Sequence, residues 1–375
     1  MFAQFAGTSV WFATNAVLPE IEAALGLGDA TAWLTGAVQV GFIAGTALLS
    51  LTGLADRFSP RWIFFLACGL AAAANAATLG ASGLGGLVAA RLICGAALAG
   101  IYPIGMKVAA GWYREGLGAA LGWLVGALVL GTAFPHLLRG ITAALHWTAV
   151  VVGTSALALL GGVVLAALVP DGPHLKPSPG LELRCVPKLW ALPAYRASAL
   201  GYFGHMWELY TLWALLPALI VAHTELAASL TTGAVIGVGA LGCVGGGYLS
   251  ARIGSASVAR WQLGVSALCC LLAPAIWAWA SAAITVGFLF VWGVAVVGDS
   301  PQLSALTARA APPALIGTGL ALATTVGFSI TVVSLQVAGQ VPLAWVSWVL
   351  LPGPLLGLVA CGTLITEDSH HADAA

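Results

Sequence analysis

The chain is 375 residues long, 60% apolar and 7% charged, and its thirteen basic and thirteen acidic side chains cancel to zero formal charge. Typical soluble domains carry about 25% charged residues, so a soluble fold of this size would expose apolar surface it could not cover. A neutral chain offers nothing to attract nucleic acid, and the seven Cys show no paired spacing for zinc or loop disulfides. Cys68, Cys94, Cys243, Cys269, Cys270 and Cys361 lie inside apolar runs and read as small buried hydrophobes. Neither a metal nor a cofactor is expected.

Apolar runs of the roughly 20 residues needed to cross a bilayer lie near 2–19, 32–52, 61–80, 85–109, 116–137, 145–169, 197–221, 228–251, 259–280, 283–306, 315–337 and 343–364. The expectation is an all-α polytopic membrane protein with twelve transmembrane helices. The first run starts at Met1 without a basic leader or cleavage site, so it is expected to remain as a span. One long polar stretch, 170–195, follows the sixth run. Pro170, Pro173, Pro177 and Pro179 make it an extended linker, dividing the chain into six-helix halves 1–169 and 196–375.

Of the thirteen Lys and Arg, eleven fall in or beside every second gap between runs: Arg57, Arg61, Lys107, Arg114, Lys176, Arg184, Lys188, Arg196, Arg252, Arg260 and Arg309. Of the other two, Arg91 lies inside a run and Arg139 is the one clear exception among the intervening gaps. Alternating basic and non-basic loops are what the positive-inside rule produces. They place both termini on the cytoplasmic side of a cell (inner) membrane.

The halves repeat. A shift of 198 residues sets Phe5 on Phe203 and Pro19 on Pro217, and aligns Gly95-Ala-Ala-Leu-Ala-Gly100-Ile-Tyr-Pro103 with Gly293-Val-Ala-Val-Val-Gly298-Asp-Ser-Pro301. A duplicated six-helix unit implies pseudo-symmetric halves about an axis along the membrane normal, with a cavity between them. That is the layout of a transporter rather than a receptor or an enzyme.

Three motifs point the same way. After the second run the chain reads Gly53-Leu54-Ala55-Asp56-Arg57-Phe58-Ser59-Pro60-Arg61, and after the eighth Gly247-Tyr248-Leu249-Ser250-Ala251-Arg252-Ile253-Gly254. The first resembles the cytoplasmic signature of the major facilitator superfamily, Gly-x-Leu-Ala-Asp-Arg-x-Gly-Arg-Arg, with Ser59 and Pro60 in place of Gly and Arg. The second resembles its degenerate copy, with Ala251 in place of the acid. Arg91-x-x-x-Gly95 in the fourth run is similar to the family's buried-arginine motif. The resemblance implies the family's twelve-helix fold, a cavity lined by spans one, four, seven and ten, and a cytoplasmic gate. Asp56, Arg57, Arg61 and Arg252 are the gating candidates, since a carboxylate at a helix end can pair with basic groups and with a facing helix N-terminus. Nitrate-type members carry an Arg in mid-span two and eight, and neither is present. The Gly-Pro-x-x-Gly-Gly of drug antiporters does not match Gly131-Thr-Ala-Phe-Pro135.

A charge at mid-bilayer costs a few kcal/mol or more, so one that persists usually faces a cavity and does something. Glu208 lies near the middle of span seven with His205 three residues earlier, on one helical face. Asp299 lies in span ten and Arg91 about two turns into span four. Glu208, helped by His205, is the candidate carrier of a coupling proton; the alternative is a satisfied polar contact that fixes packing. Pro103 and Pro301, at matching places in the two halves, each remove a backbone hydrogen bond and mark the central site of a transporter. They bring in Tyr102 with Asp299, unless they merely kink helices. Trp11 and Asn15 share a face at i, i+4, and Tyr202 lies beside them in the equivalent span. Gly41 and Gly45 in span two follow close-packing spacing.

The function expected is secondary active transport of a small polar organic solute, with proton symport. A proton-coupled efflux antiporter is the alternative. An embedded enzyme would need a denser cluster than His136 and Arg139, and no Gly-x-x-x-x-Gly-Lys-Ser/Thr motif supports ATP-driven transport. The expected partners are the solute, a proton and the lipid bilayer, with the chain acting as a monomer.

Overall fold

Inside a bilayer a backbone N–H or C=O can be satisfied only within its own segment or by buried protein groups, which makes helices of the apolar runs. The computed structural model describes residues 1–113, 117–175 and 183–372, of which 55, 56, 117, 118, 183 and 365–372 are described by their backbone alone. Among them helix is the only regular structure.

Among the described residues eleven helical stretches are long and apolar enough to cross a membrane. The twelfth expected span, the first, is interrupted. Helix α1 (Phe2–Thr8) gives way to irregular chain over residues 9–14. A single 3-10 turn follows at Asn15–Val17, and then α2 (Leu18–Leu25). The remaining helices of the first repeat are α3 (Thr31–Thr52), the short α4 (Leu54–Arg57), α5 (Pro60–Ala77), α6 (Leu84–Leu98), α7 (Tyr102–Trp112), α8 (Leu117–Ile141) and α9 (Thr148–Leu168). After the linker come α10 (Val186–Ala191), α11 (Pro193–His223), α12 (Ala228–Ile253), α13 (Ser255–Trp279), α14 (Ala282–Gly298), α15 (Ser300–Ala310), α16 (Ile316–Ala338), α17 (Val346–Leu350) and α18 (Pro352–Ala372).

The offset of 198 residues holds at element level. It carries Leu84 to Ala282, the first residues of α6 and α14. It carries both ends of α7, Tyr102 and Trp112, to both ends of α15, Ser300 and Ala310. It also carries Thr148 at the start of α9 to Val346 at the start of α17.

The contacts resolve two compact units. One comprises Met1–Leu117, Gly126–Pro177 and Trp213–Gly237; the other comprises Gly118–Val125, Ser178–Leu212 and Val238–Ala375. In the first unit α3 packs along α6 with no room for side chains between the backbones. A Cβ on Gly41 would sit 2.0 Å from the Leu92 carbonyl oxygen, and one on Gly95 2.0 Å from that of Val38. Small residues permit this approach, and dispersion between the backbones holds it where lipid gives no hydrophobic drive. α5 runs against α9. In the second unit α13 packs against α14 and α18.

Candidate functional site

The first unit holds a buried cation on an unwound backbone. Arg91, on α6, is fully withdrawn from water. Its Nη1 donates to the Val10 carbonyl at 3.1 Å and lies 3.4 Å from Asn75 Oδ1, and its Nη2 donates to the Trp11 carbonyl. Cys94 Sγ is 3.7 Å away. Asn75 is itself oriented by its amide, which reaches the Val151 carbonyl, Thr154 Oγ1 and Ser155 Oγ at 3.2, 3.1 and 2.9 Å. A break within a membrane helix bares carbonyls that lipid cannot solvate. A planar guanidinium with a fork of donors suits two successive ones. No carboxylate is among Arg91's contacts in the described residues.

The expected helical pairing of Trp11 with Asn15 is corrected here, because residues 9–14 are not helical. Both side chains turn to α3 instead. The Trp11 ring lies 5.3 Å from that of Phe42, and Asn15 Nδ2 donates to Thr35 Oγ1 at 2.7 Å.

The paired prolines also act differently from a simple kink. Pro103 and Pro301 sit in the first turns of α7 and α15, where an N–H needs no helical partner and a preset φ favours a restart. Spans four and ten are therefore each two helices joined at a step, with Tyr102 buried at the start of α7 and Asp299 at the joint between α14 and α15.

The second unit holds the acids. Glu208, on α11, is buried, and its Oε1 accepts from Ser266 Oγ at 2.6 Å, Trp292 Nε1 at 2.6 Å and Cys270 Sγ at 3.4 Å. His205 and Glu208 share a face of α11, but the histidine's neighbour is the other acid. Its Nδ1 lies 2.8 Å from Asp299 Oδ1, with both groups buried. Neither atom makes a hydrogen bond among the described residues. The contact is one of ion-pair distance. The Tyr202 ring is 5.8 Å from that of His205.

Ser266, Trp292 and Cys270 escaped the sequence reading. Ser266 and Trp292 are hydrogen-bonding side chains in the middle of apolar runs, which is the signal that could have found them; Cys270 was read as a hydrophobe. An apolar cavity of about 490 Å³ lies beside α11, lined by Phe203, Trp207, Ile330, Val333 and Leu356, and none of the acids lines it.

Among the gating candidates, the Asp56 side chain lies outside the described residues. Arg57 and Arg252 are exposed, and the Arg61 guanidinium lies 5.6 Å over the Trp62 ring. Ser59, where the signature has Gly, donates to Asp171 Oδ1 at 2.9 Å. Among the described residues no group of three His, Cys, Asp or Glu is placed to hold a metal ion.

Interrupted spans at repeat-related places, with charges buried beside the breaks, are the build of a membrane transporter. The chain belongs to the major facilitator superfamily, whose family model matches residues 1–335. No curated protein matches it. Among solved structures it is similar to the crystal structure of a bacterial homologue of the iron transporter ferroportin in the outward-facing state. The TM-score is 0.69 over 97% of this chain and 98% of that one, at 18% identity, a likeness of fold.

Proposed function

We propose that the protein is a proton-coupled secondary transporter, a symporter that moves a small polar organic solute by alternating access. His205, Glu208 and Asp299 exchange the coupling proton. The observation that supports this is the buried group of two carboxyls and one imidazole in the second unit, with His205 Nδ1 2.8 Å from Asp299 Oδ1 and Glu208 one turn away on α11. Ionisable groups so deep in a membrane protein are costly and mark ion pathways by default. Alternating access lets one buried carboxyl meet water first from one side and then from the other. In the same reading Asp56, Arg57, Arg61 and Arg252 form the cytoplasmic latch.

The test is proton movement in proteoliposomes loaded with a pH-sensitive dye, screened with sugars, amino acids, carboxylates, nucleosides and cationic drugs. A symporter moves protons in the same direction as its solute, and Glu208→Gln abolishes that movement while the protein still folds. Proton flux opposite to the solute would instead assign an exchanger. Unchanged coupling in Glu208→Gln would remove that residue from the pathway.

A further inference from the structure

The break in the first span leaves hydrogen-bonding groups over. Among the described residues the Nε–H of Arg91, both polar atoms of the Gln39 amide and the hydroxyl of Thr14 have no hydrogen-bond partner, and all three residues are 0% exposed. All three trace to the same short segment, Gln39 through its neighbours on α3. Thr14 is the last residue of the irregular chain. Gln39 lies on α3 between Thr35, which holds Asn15, and Phe42, which packs on Trp11. Arg91 grips the carbonyls of Val10 and Trp11. Native proteins rarely leave buried polar groups unpaired, and each such group calls for a water, an ion or a ligand.

The chemistry of these groups narrows the choice. Among the described residues Arg91 is a buried positive charge met by dipoles and a thiol, so a cation is repelled there and an anion is drawn in. Gln39 offers an acceptor as well as two donors, so an anion without a proton to give, such as chloride or nitrate, would leave Gln39 Oε1 unsatisfied. We infer that the break is the docking point for a small organic carboxylate that also bears a hydroxyl or an amine. The carboxylate takes the Arg91 Nε–H, and the adjacent hydroxyl or amine takes Gln39 Oε1 and the Thr14 hydroxyl. This rests on the transporter reading above and names its solute class.

Glycolate, lactate, glycine and alanine, each beside its amide, are titrated by calorimetry into the full-length protein in nanodiscs. At least one carboxylate binds tenfold or more tightly than its amide, the loss expected when a charge-assisted hydrogen bond is removed. Arg91 substitutions disturb the fold, so Gln39→Leu carries the test. It deletes a polar group that has no protein partner, so the melting temperature holds or rises while carboxylate affinity falls about tenfold. Three binding outcomes overturn the inference: none of the four carboxylates binds, the amides bind equally well, or folded Gln39→Leu binds as the unaltered protein does. Proton-coupled flux driven only by neutral or cationic solutes also overturns it while leaving the transporter reading in place. Carboxylate binding lost in Gln39→Leu, with no flux for any solute, keeps this site and removes the transporter reading.

Discussion

In the first repeat the backbone at Val10 and Trp11 is unwound, and Arg91 holds its carbonyls. In the second, the offset of 198 residues puts Glu208 in the place of Val10, on an α11 that runs unbroken from Pro193 to His223. One partner corresponds as well. Cys94, beside Arg91, is equivalent to Trp292, which donates to Glu208. An opened helix presents its own acceptors and needs a strong forked donor. An intact helix presents none, so the acceptor there is a side chain and neutral donors suffice. The first arrangement uses its charge to hold the backbone. The second presents a carboxyl whose protonation would leave every backbone group with its partner.

The comparison breaks first at Arg91. Arg91→Met removes the donors, leaving the Trp11 carbonyl bare in a buried site and the Val10 carbonyl with only a long 3.5 Å bond from the Ala13 N–H. Each unsatisfied group costs about 1–3 kcal/mol, and relief from burying the charge offsets part of this. The expected net loss is about 2–4 kcal/mol, read as a lower melting temperature in detergent. Amide exchange gives the local readout. In the unaltered protein residues 9–14 exchange faster than 207–212, because only the latter are held in helical hydrogen bonds. Arg91→Met widens that gap. Equal exchange of the two segments would mean that the first span is not broken in the membrane.

Trp292→Phe tests the other side with a smaller effect. It removes one of two 2.6 Å donors to Glu208 and keeps most of the ring's bulk. A hydrogen bond to a charged group contributes about 1.5–3 kcal/mol, part of which the remaining donors Ser266 and Cys270 preserve. Melting should fall by about 1–2 kcal/mol equivalent, and the pH at which proton coupling is half-maximal should move. A stability loss with an unmoved pH profile would make Trp292 a packing residue only.

The long-range order of the molecule was legible in the sequence and its local departures were not. Hydropathy marked the spans, and the Gly and Pro positions 95, 100 and 103 against 293, 298 and 301 located both joints, since proline restarts a helix whatever surrounds it. Nothing local announces the break at Ser9-Val-Trp-Phe-Ala-Thr14, which contains neither Gly nor Pro. Besides local turn bonds such as Trp11 N–H to the Thr8 carbonyl, the carbonyls of Val10 and Trp11 are held by Arg91, some eighty residues further on. His205 shows the same limit. Spacing on one helix joined it to Glu208, whereas the tertiary fold brings Asp299 from the step in span ten to its ring. Periodicity reports which residues share a face, and only the packing of other helices decides what that face meets.

The weakest donor at Glu208 gives the finest discrimination. Cys270 Sγ stands 3.4 Å from Oε1, and a thiol donates poorly. Cys270→Ala should cost under about 1 kcal/mol in stability, mostly from lost packing of the sulfur, and leave coupling intact. Cys270→Ser places a stronger donor at the same point. If Glu208 must release its proton in each cycle, the added hydrogen bond holds the carboxylate form more firmly and slows reprotonation. Turnover should therefore fall in Cys270→Ser and hold in Cys270→Ala. The reverse order, or identical turnover in the two, would mean that the hydrogen bonds on Glu208 fix its position without setting how readily it exchanges a proton.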